Sequence, residues 1–232
     1  MKIALRNLLR NKAYAAINIS GLAVGIASCI LLFIIIRYEL SYDKFQPASQ
    51  NIYRVVTQDK FSDGISYGAG TPFPVPDALR VDIPQITTGV LYASYGSQVT
   101  VTGKDNANNS SQKKFIEPSG IFFADPQFFS VFHFEWLSGS PALLDEPNNT
   151  VLTKKMAEKY FGTWQNAVGK FIKLDNKLTL KVAGILQDVP ANSDFTLGVV
   201  TSYITFKNDN TYGYSTEWGR TTSDEQVYVR LP

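Results

Sequence analysis

A run of 24 residues without a single charge, Ala13 to Ile36, constrains this chain more than anything else in it. As a helix it is about 36 Å long, against a hydrocarbon core of ~30 Å. Its centre, Cys29-Ile30-Leu31-Leu32-Phe33-Ile34-Ile35-Ile36, is unbroken apolar. Lys2, Arg6, Arg10 and Lys12 stand before it with no acid among them, whereas Arg37, Glu39, Asp43 and Lys44 after it sum to zero. Lys and Arg collect on the cytoplasmic side of a span. Residues 13–38 therefore read as a transmembrane helix with the N-terminus in the cytoplasm and everything after about Tyr38 outside. Tyr14 and Tyr38 bracket the span at the level of the two interfaces.

Three other readings fit less well. A cleaved secretory signal has an apolar core of about 7–15 residues, and this run is longer. Ile26-Ala27-Ser28-Cys29 fits a lipoprotein signal, but seven more apolar residues follow Cys29, where such a run should end. A buried helix of a soluble protein does not call for the flanking charge asymmetry.

Two smaller patterns sit in this region. Gly21 and Gly25 form a small-xxx-small pair, and Cys29 extends the row by a turn. That spacing lets two membrane helices approach closely, so Gly21 and Gly25 are candidate packing residues for a helix this chain does not supply. The alternative is a span that tolerates glycine. Lys2, Arg6 and Arg10 share one helical face, and Leu5, Leu8 and Leu9 another. Residues 1–12 thus read as a basic amphipathic segment on the inner membrane face, with Lys12 completing the cation set. A plain topogenic charge cluster is the alternative.

Residues 41–232 carry 17 Lys+Arg and 19 Asp+Glu, and no further stretch of 18 apolar residues follows, so the chain crosses the membrane once. Alternation and β-branching predict strands at Ile52–Thr57, Ile86–Tyr92, Gln98–Thr102, Lys114–Glu117, Gly120–Ala124, Asn149–Leu152, Thr196–Thr205 and Gln226–Leu231. Gly64 to Gly70 and Asp105–Gln112 read as loops. Three short helices are expected: Val75–Val81, one capped by Asp125 and running from Pro126 through Phe132, and one capped by Thr153 and ended by Gly162. Lys170–Leu174 and Leu178–Leu186 form a hairpin across Asp175-Asn176-Lys177. The fold class is α+β. The chain stops on a strand at Leu231-Pro232 without returning to the membrane, so a truncated chain, incomplete at its C-terminus, is expected.

Composition excludes more chemistry than it suggests. The formal charge of +2 argues against a nucleic-acid-binding stripe. One Cys allows no internal disulfide and no Cys-rich zinc site, and one His allows no two-His metal site. His133, the one imidazole base, lies among aromatics in Phe129-Ser130-Val131-Phe132-His133-Phe134, where a packed or half-exposed His is favoured over a catalytic one. Gly169-Lys170 has the dipeptide of a phosphate loop, but Gly162 is too far upstream and Phe171 stands where Ser or Thr should hold magnesium. Neither an enzyme nor a cofactor or metal site is expected.

The order of motifs along the chain resembles the N-terminal part of an FtsX-like ABC transporter permease with a MacB-type periplasmic core domain. The carrying residues are Ile3-Ala4-Leu5-Arg6-Asn7-Leu8-Leu9-Arg10-Asn11-Lys12, Ile17 to Ala27, Tyr38-Glu39-Leu40-Ser41-Tyr42-Asp43-Lys44-Phe45 and Ile52-Tyr53-Arg54-Val55. Phe129 to Phe132, Trp136-Leu137-Ser138-Gly139, Val151 through Gly162, Val182-Ala183-Gly184-Ile185 and Asp188-Val189-Pro190-Ala191-Asn192-Ser193 continue it. Asp194 stands where relatives often have His.

The resemblance implies a bacterial inner-membrane permease subunit with a periplasmic domain at 41–232. That domain would have a porter-like βαβ part, with its first half at about Ile52 to Thr102 and Gln226–Leu231 re-entering it. A β-rich part inserted at about Lys113 to Pro190 would complete it. The resemblance further implies a second permease copy, a separate ATP-binding ABC subunit and a periplasmic or outer-membrane partner. Such a permease couples cytoplasmic ATP hydrolysis to periplasmic conformational change, for export or envelope remodelling. The alternative from another class is a single-span, membrane-anchored periplasmic protein that binds a ligand or partner as a sensor or adaptor.

Overall fold

The computed structural model describes residues 10, 12–47, 49–104 and 110–232. The chain divides into two compact units, Met1–Lys44 and Phe45–Pro232. The first is built on helix α1 (Lys12–Glu39). Its apolar side chains point outward on every side, and Ala15 is its one buried residue. Ser20 Oγ donates to the Ile17 carbonyl at 3.0 Å and Ser28 Oγ to the Val24 carbonyl at 2.9 Å. Both hydroxyls are thereby satisfied within the helix, as an apolar surrounding requires.

The second unit is organised by one sheet of eleven strands. In chain order the strands are β1 (Ile52–Val55), β2 (Thr57–Phe61), β3 (Gly64–Gly68), β4 (Thr71–Pro72), β5 (Thr87–Ser94), β6 (Ser97–Lys104), β7 (Ser110–Glu117) and β8 (Ile121–Ala124). They continue with β9 (Trp136–Ser138), β10 (Asn149–Thr153), β11 (Phe171–Leu174), β12 (Leu178–Leu186), β13 (Val199–Ser202), β14 (Thr221–Thr222) and β15 (Glu225–Arg230). The large sheet runs β1-β15-β5-β8-β13-β10-β12-β11-β6-β7, with β9 against β12. Pairing is antiparallel except for β8 with β13 and β10 with β12. Strands from 52–102, from 113–190 and from the last residues therefore share one sheet. The short helices are α2 (Val75–Asp82), α3 (Phe128–Val131), α4 (Lys154–Phe161) and α5 (Tyr203–Asn208).

Alternation sorts two cores onto the two faces. Val90, Ile121, Phe123, Leu152 and Val199 point to one face, which α4 and α5 cover with Ala157, Tyr160, Tyr203 and Phe206. Their neighbours Leu91, Phe122, Ala124, Val151 and Val200 point to the other, under Phe128, Phe129, Phe132, Phe134 and Phe195. Burial on both faces is why Ile121–Ala124 and Val151–Thr153 read as continuous rather than alternating runs. Close packing there has a backbone cause at Gly89. A Cβ on Gly89 would stand 2.6 Å from the Phe128 Cα, so only glycine lets α3 lie on β5.

Three expectations need correction. Gly64–Gly68 is not a loop but β3, paired in register with β2 from Thr57 opposite Gly68 to Phe61 opposite Gly64. Asp63-Gly64 is a hairpin signal, and the surrounding glycines masked it. The segment Thr196–Thr205 is not one strand: β13 stops at Ser202 and α5 follows, adding a fourth short helix. Helical spacing at i, i+3 buries both Tyr203 and Phe206, and that packing outweighs the β-branched pair Ile204-Thr205. The helix expected from Pro126 through Phe132 is shorter, Phe128–Val131, with Gln127 in the cap position. Asp125 nonetheless accepts the Phe128 amide through Oδ1 at 2.9 Å. The loop tip at Asp105–Gln112 falls largely outside the described residues, and β7 starts at Ser110.

Candidate functional site

Helix α4 carries the densest polar arrangement. Thr153 occupies its cap position without a side-chain cap bond. The Lys155 amide is instead satisfied by Asp188 Oδ1 at 2.8 Å, from the segment after β12. A carboxylate there also complements the positive end of the helix. Gly162 closes the helix with φ 84°, the conformation glycine adopts freely. On the helix's last turns Lys159 Nζ reaches Glu117 Oε1 and Oε2 at 2.7 and 2.8 Å, and Tyr160 Oη donates to Oε1 at 2.8 Å. Glu117, on β7, is buried, so its charge is held by partners rather than by water. Burial and the Glu117 hydrogen bond push the Tyr160 hydroxyl far above the usual phenol range.

A second arrangement links α2, α5 and the start of α3. Lys207 Nζ pairs with Asp77 Oδ2 at 2.6 Å, and Arg80 Nη1 with Asp77 Oδ1 at 3.1 Å. Arg80 Nη2 pairs in turn with Asp125 and donates to the Thr88 carbonyl at 3.0 Å. Asp125 Oδ1 also accepts the Val90 amide at 3.1 Å. Burial raises the Asp125 carboxyl above its usual range, against the opposing pull of Arg80 and of the two amides.

Glu225 lies close by and is served differently. It has no exposed surface. Tyr203 Oη donates to its Oε1 at 2.5 Å, while Oε2 has no partner among the described residues. Burial pushes its carboxyl up to about 8. The Tyr203 bond opposes the rise, the Asp125 charge adds to it, Lys207 lowers it and Asp77 raises it. Glu225 therefore holds its proton to higher pH than an exposed glutamate does.

The residues expected from sequence stand elsewhere. Gly21 and Gly25 lie on α1, and a Cβ on either would meet nothing within 4 Å. Cys29 is exposed on the same helix. Lys12 opens α1 and Arg10 is helical and exposed, whereas Lys2 and Arg6 lie outside the described residues. His133 is exposed, and its backbone amide donates to Gln46 Oε1 at 2.7 Å. Among the described residues no three of His, Cys, Asp and Glu gather as a ligand set. What this arrangement offers is held charge, a buried acid and open surface.

The model of one family, described as the MacB-like periplasmic core domain, matches residues 15–232. The chain belongs to the MacB-like periplasmic core domain family. Solved structures carry the same fold. A domain of a protein described as a permease from Porphyromonas gingivalis matches with a TM-score of 0.58 and 18% identity, over 81% of this chain and 75% of its own. The periplasmic region of MacB from Actinobacillus actinomycetemcomitans matches with a TM-score of 0.50 and 18% identity, over 78% of this chain and 74% of its own. The comparison with curated proteins returns no match. In this MacB-like chain the strand-rich α+β domain follows a helix long and apolar enough to cross a membrane. Such domains belong to permease components of ABC transporters.

Proposed function

We propose that this chain is the N-terminal portion of a MacB/FtsX-type permease subunit that couples cytoplasmic ATP hydrolysis to conformational change in its periplasmic domain. The observation that carries the reading is the family match, which starts within the apolar helix at residue 15 and runs unbroken to residue 232. The match thus takes in most of the apolar helix as well as the domain. In this reading residues 1–12 lie on the inner face beside a separate ATP-binding subunit, residues 13–38 span the inner membrane, and residues 41–232 form the periplasmic domain. Gly21 and Gly25 pack on a neighbouring membrane helix, from this permease or its second copy. The four cations before the span and the neutral set after it support the orientation. The work done outside the membrane is export or envelope remodelling, and the chain itself is not an enzyme.

The charge reversals Arg6→Glu and Arg10→Glu test the reading in the full-length complex. The expected outcome is a disturbed membrane orientation or a loss of stimulated ATPase activity. Unchanged orientation by protease accessibility together with unchanged stimulated activity overturns it.

A further inference from the structure

The two cores do not reach the whole sheet. At the end formed by β12, β11, β6 and β7, one face is buried by Val99, Val101, Ile172, Leu174, Leu180 and Val182. The opposite face is largely exposed. It carries the exposed lysines Lys114, Lys173 and Lys181 with Thr102 and Thr179, Thr100 is buried between them, and no Asp or Glu stands among these described positions. We propose that this bare, basic end of the sheet docks an acidic segment of a partner protein.

The register fixes the pattern. Lys173 stands opposite Thr179 on β12 and Thr100 on β6, and Thr100 stands opposite Lys114 on β7. Lys173 and Lys114 are thus two strands apart, about 10 Å. Lys181 stands opposite Phe171 on β11. Among the described residues none of the three lysines forms an ion pair. Two apolar side chains share the face, Phe171 at 57% exposure and Ile116 at 66%. A groove of about 350 Å³ runs between Phe171, Lys173 and the threonines.

Charge complementarity names the occupant. Residues 41–232 sum to −2, so these lysines are a local segregation and not a share of a basic domain. A second copy presenting the same face would meet like charge, which repels. Along β11 the exposed pair Phe171 and Lys173 is spaced by two residues, about 7 Å, the side-chain period of an extended segment. Apolar anchors set among cations suit a segment that alternates acidic and apolar side chains. The inference goes beyond the permease reading and does not depend on ATP coupling.

The test uses the full chain in nanodiscs of zwitterionic lipid and a labelled peptide of about twelve residues alternating Glu and Phe, read by fluorescence anisotropy. Saturable binding is expected, weakening about tenfold between roughly 50 and 300 mM salt. Lys173→Glu with Lys181→Glu should weaken it at least about fivefold, while Lys60→Glu, on β2, should leave it unchanged. The neutral pair Lys173→Gln with Lys181→Gln should weaken it in the same direction, which separates lost charge from a folding defect. Absence of saturable binding overturns the proposal. So does an equal loss with Lys60→Glu, or a neutral pair without effect. Phosphatidylglycerol vesicles that displace the peptide and bind more tightly would assign the face to lipid and also overturn it.

Discussion

The two faces of the sheet are both rich in aromatic rings, yet they are held in different ways. Under α3 the rings meet one another. Phe128 contacts Phe129, Phe132, Phe134 and Phe195 with centroids 5.1 to 5.9 Å apart. Under α5 the rings of Phe73, Phe123 and Phe206 share the face with tyrosines, and two of the tyrosine hydroxyls are tied to acids. Tyr203 binds Glu225, and Tyr212 Oη donates to Asp175 at 2.8 Å. The first face is stabilised mainly by area and shape, which are indifferent to pH, with the Asp125 carboxyl at its edge, where it accepts the Phe128 amide. The second contains a titrating group, so its stability follows the proton concentration. The difference lies in a few polar atoms and not in the amount of apolar surface.

Phe128→Ala attacks the dry face and should have the largest effect. A fully buried ring removed from a dense cluster costs about 3–5 kcal/mol. The loss should be the same at pH 5 and pH 8, as read by urea unfolding of the protein in detergent. A loss that varies with pH would erase the contrast between the faces.

Glu225 gives the wired face its pH dependence, and the sign can be worked out. Its folded value, about 8, lies above the value of an unfolded glutamate. Between pH 5 and 8 the unfolded chain has released this proton and the folded chain keeps it. Stability therefore falls as pH rises, on the order of 1 kcal/mol per unit, until the folded acid ionises near pH 8. Asp125, also raised, adds a fall of the same sign. Glu225→Gln keeps the oxygen that accepts from Tyr203 and stays neutral at every pH. It should flatten the slope and gain on the parent protein as pH rises. Parallel slopes in thermal melts across this range would show that Glu225 is ionised throughout.

Much of the fold is legible in the chain, because strands with one buried face write that face into their alternation. Leu178, Leu180 and Val182 are buried while Thr179 and Lys181 are exposed. Asp175 and Asn176 take positive φ at the hairpin turn, as their residue types suggest. What escapes is whatever depends on contacts far along the chain. Arg80 meets Asp125 across 45 residues, and Asp188 accepts the amide of Lys155, 33 residues earlier. No spacing encodes either. Glu225, by contrast, is marked in the sequence by its phase. Strand β15 buries every second residue, and Glu225 shares the inward parity of Val227 and Val229. An acid in phase with core valines announces a buried carboxyl. The expectation that this strand begins at Gln226 left the acid out of it. Glu117, in phase with the half-buried Phe115 on β7, carries the same signal.

Lys159→Ala probes the wired face where it nears solvent. The ammonium is partly exposed, at 41%, which screens the pair, while its partner Glu117 is buried at 7%. The expected loss is about 1 kcal/mol, less than a fully buried pair and more than a typical surface pair. The readout is the urea midpoint, compared with Lys159→Arg, which retains the charge and should recover part of the loss. A midpoint that does not move would mean that Tyr160 alone satisfies Glu117.

The smallest effect is expected where neither core reaches. Phe171 is as large as Phe128, but 57% of it meets solvent, on the bare face of β11. Exposed positions without specific contacts change stability by no more than about 0.5 kcal/mol. Phe171→Ser should therefore leave the melting temperature close to that of the parent protein, although it removes a ring of the same size as the most costly substitution above. The comparison isolates burial from residue type. A drop approaching that of Phe128→Ala would mean that the bare end is covered in the protein as it exists in the membrane, by a surface that the chain alone does not display.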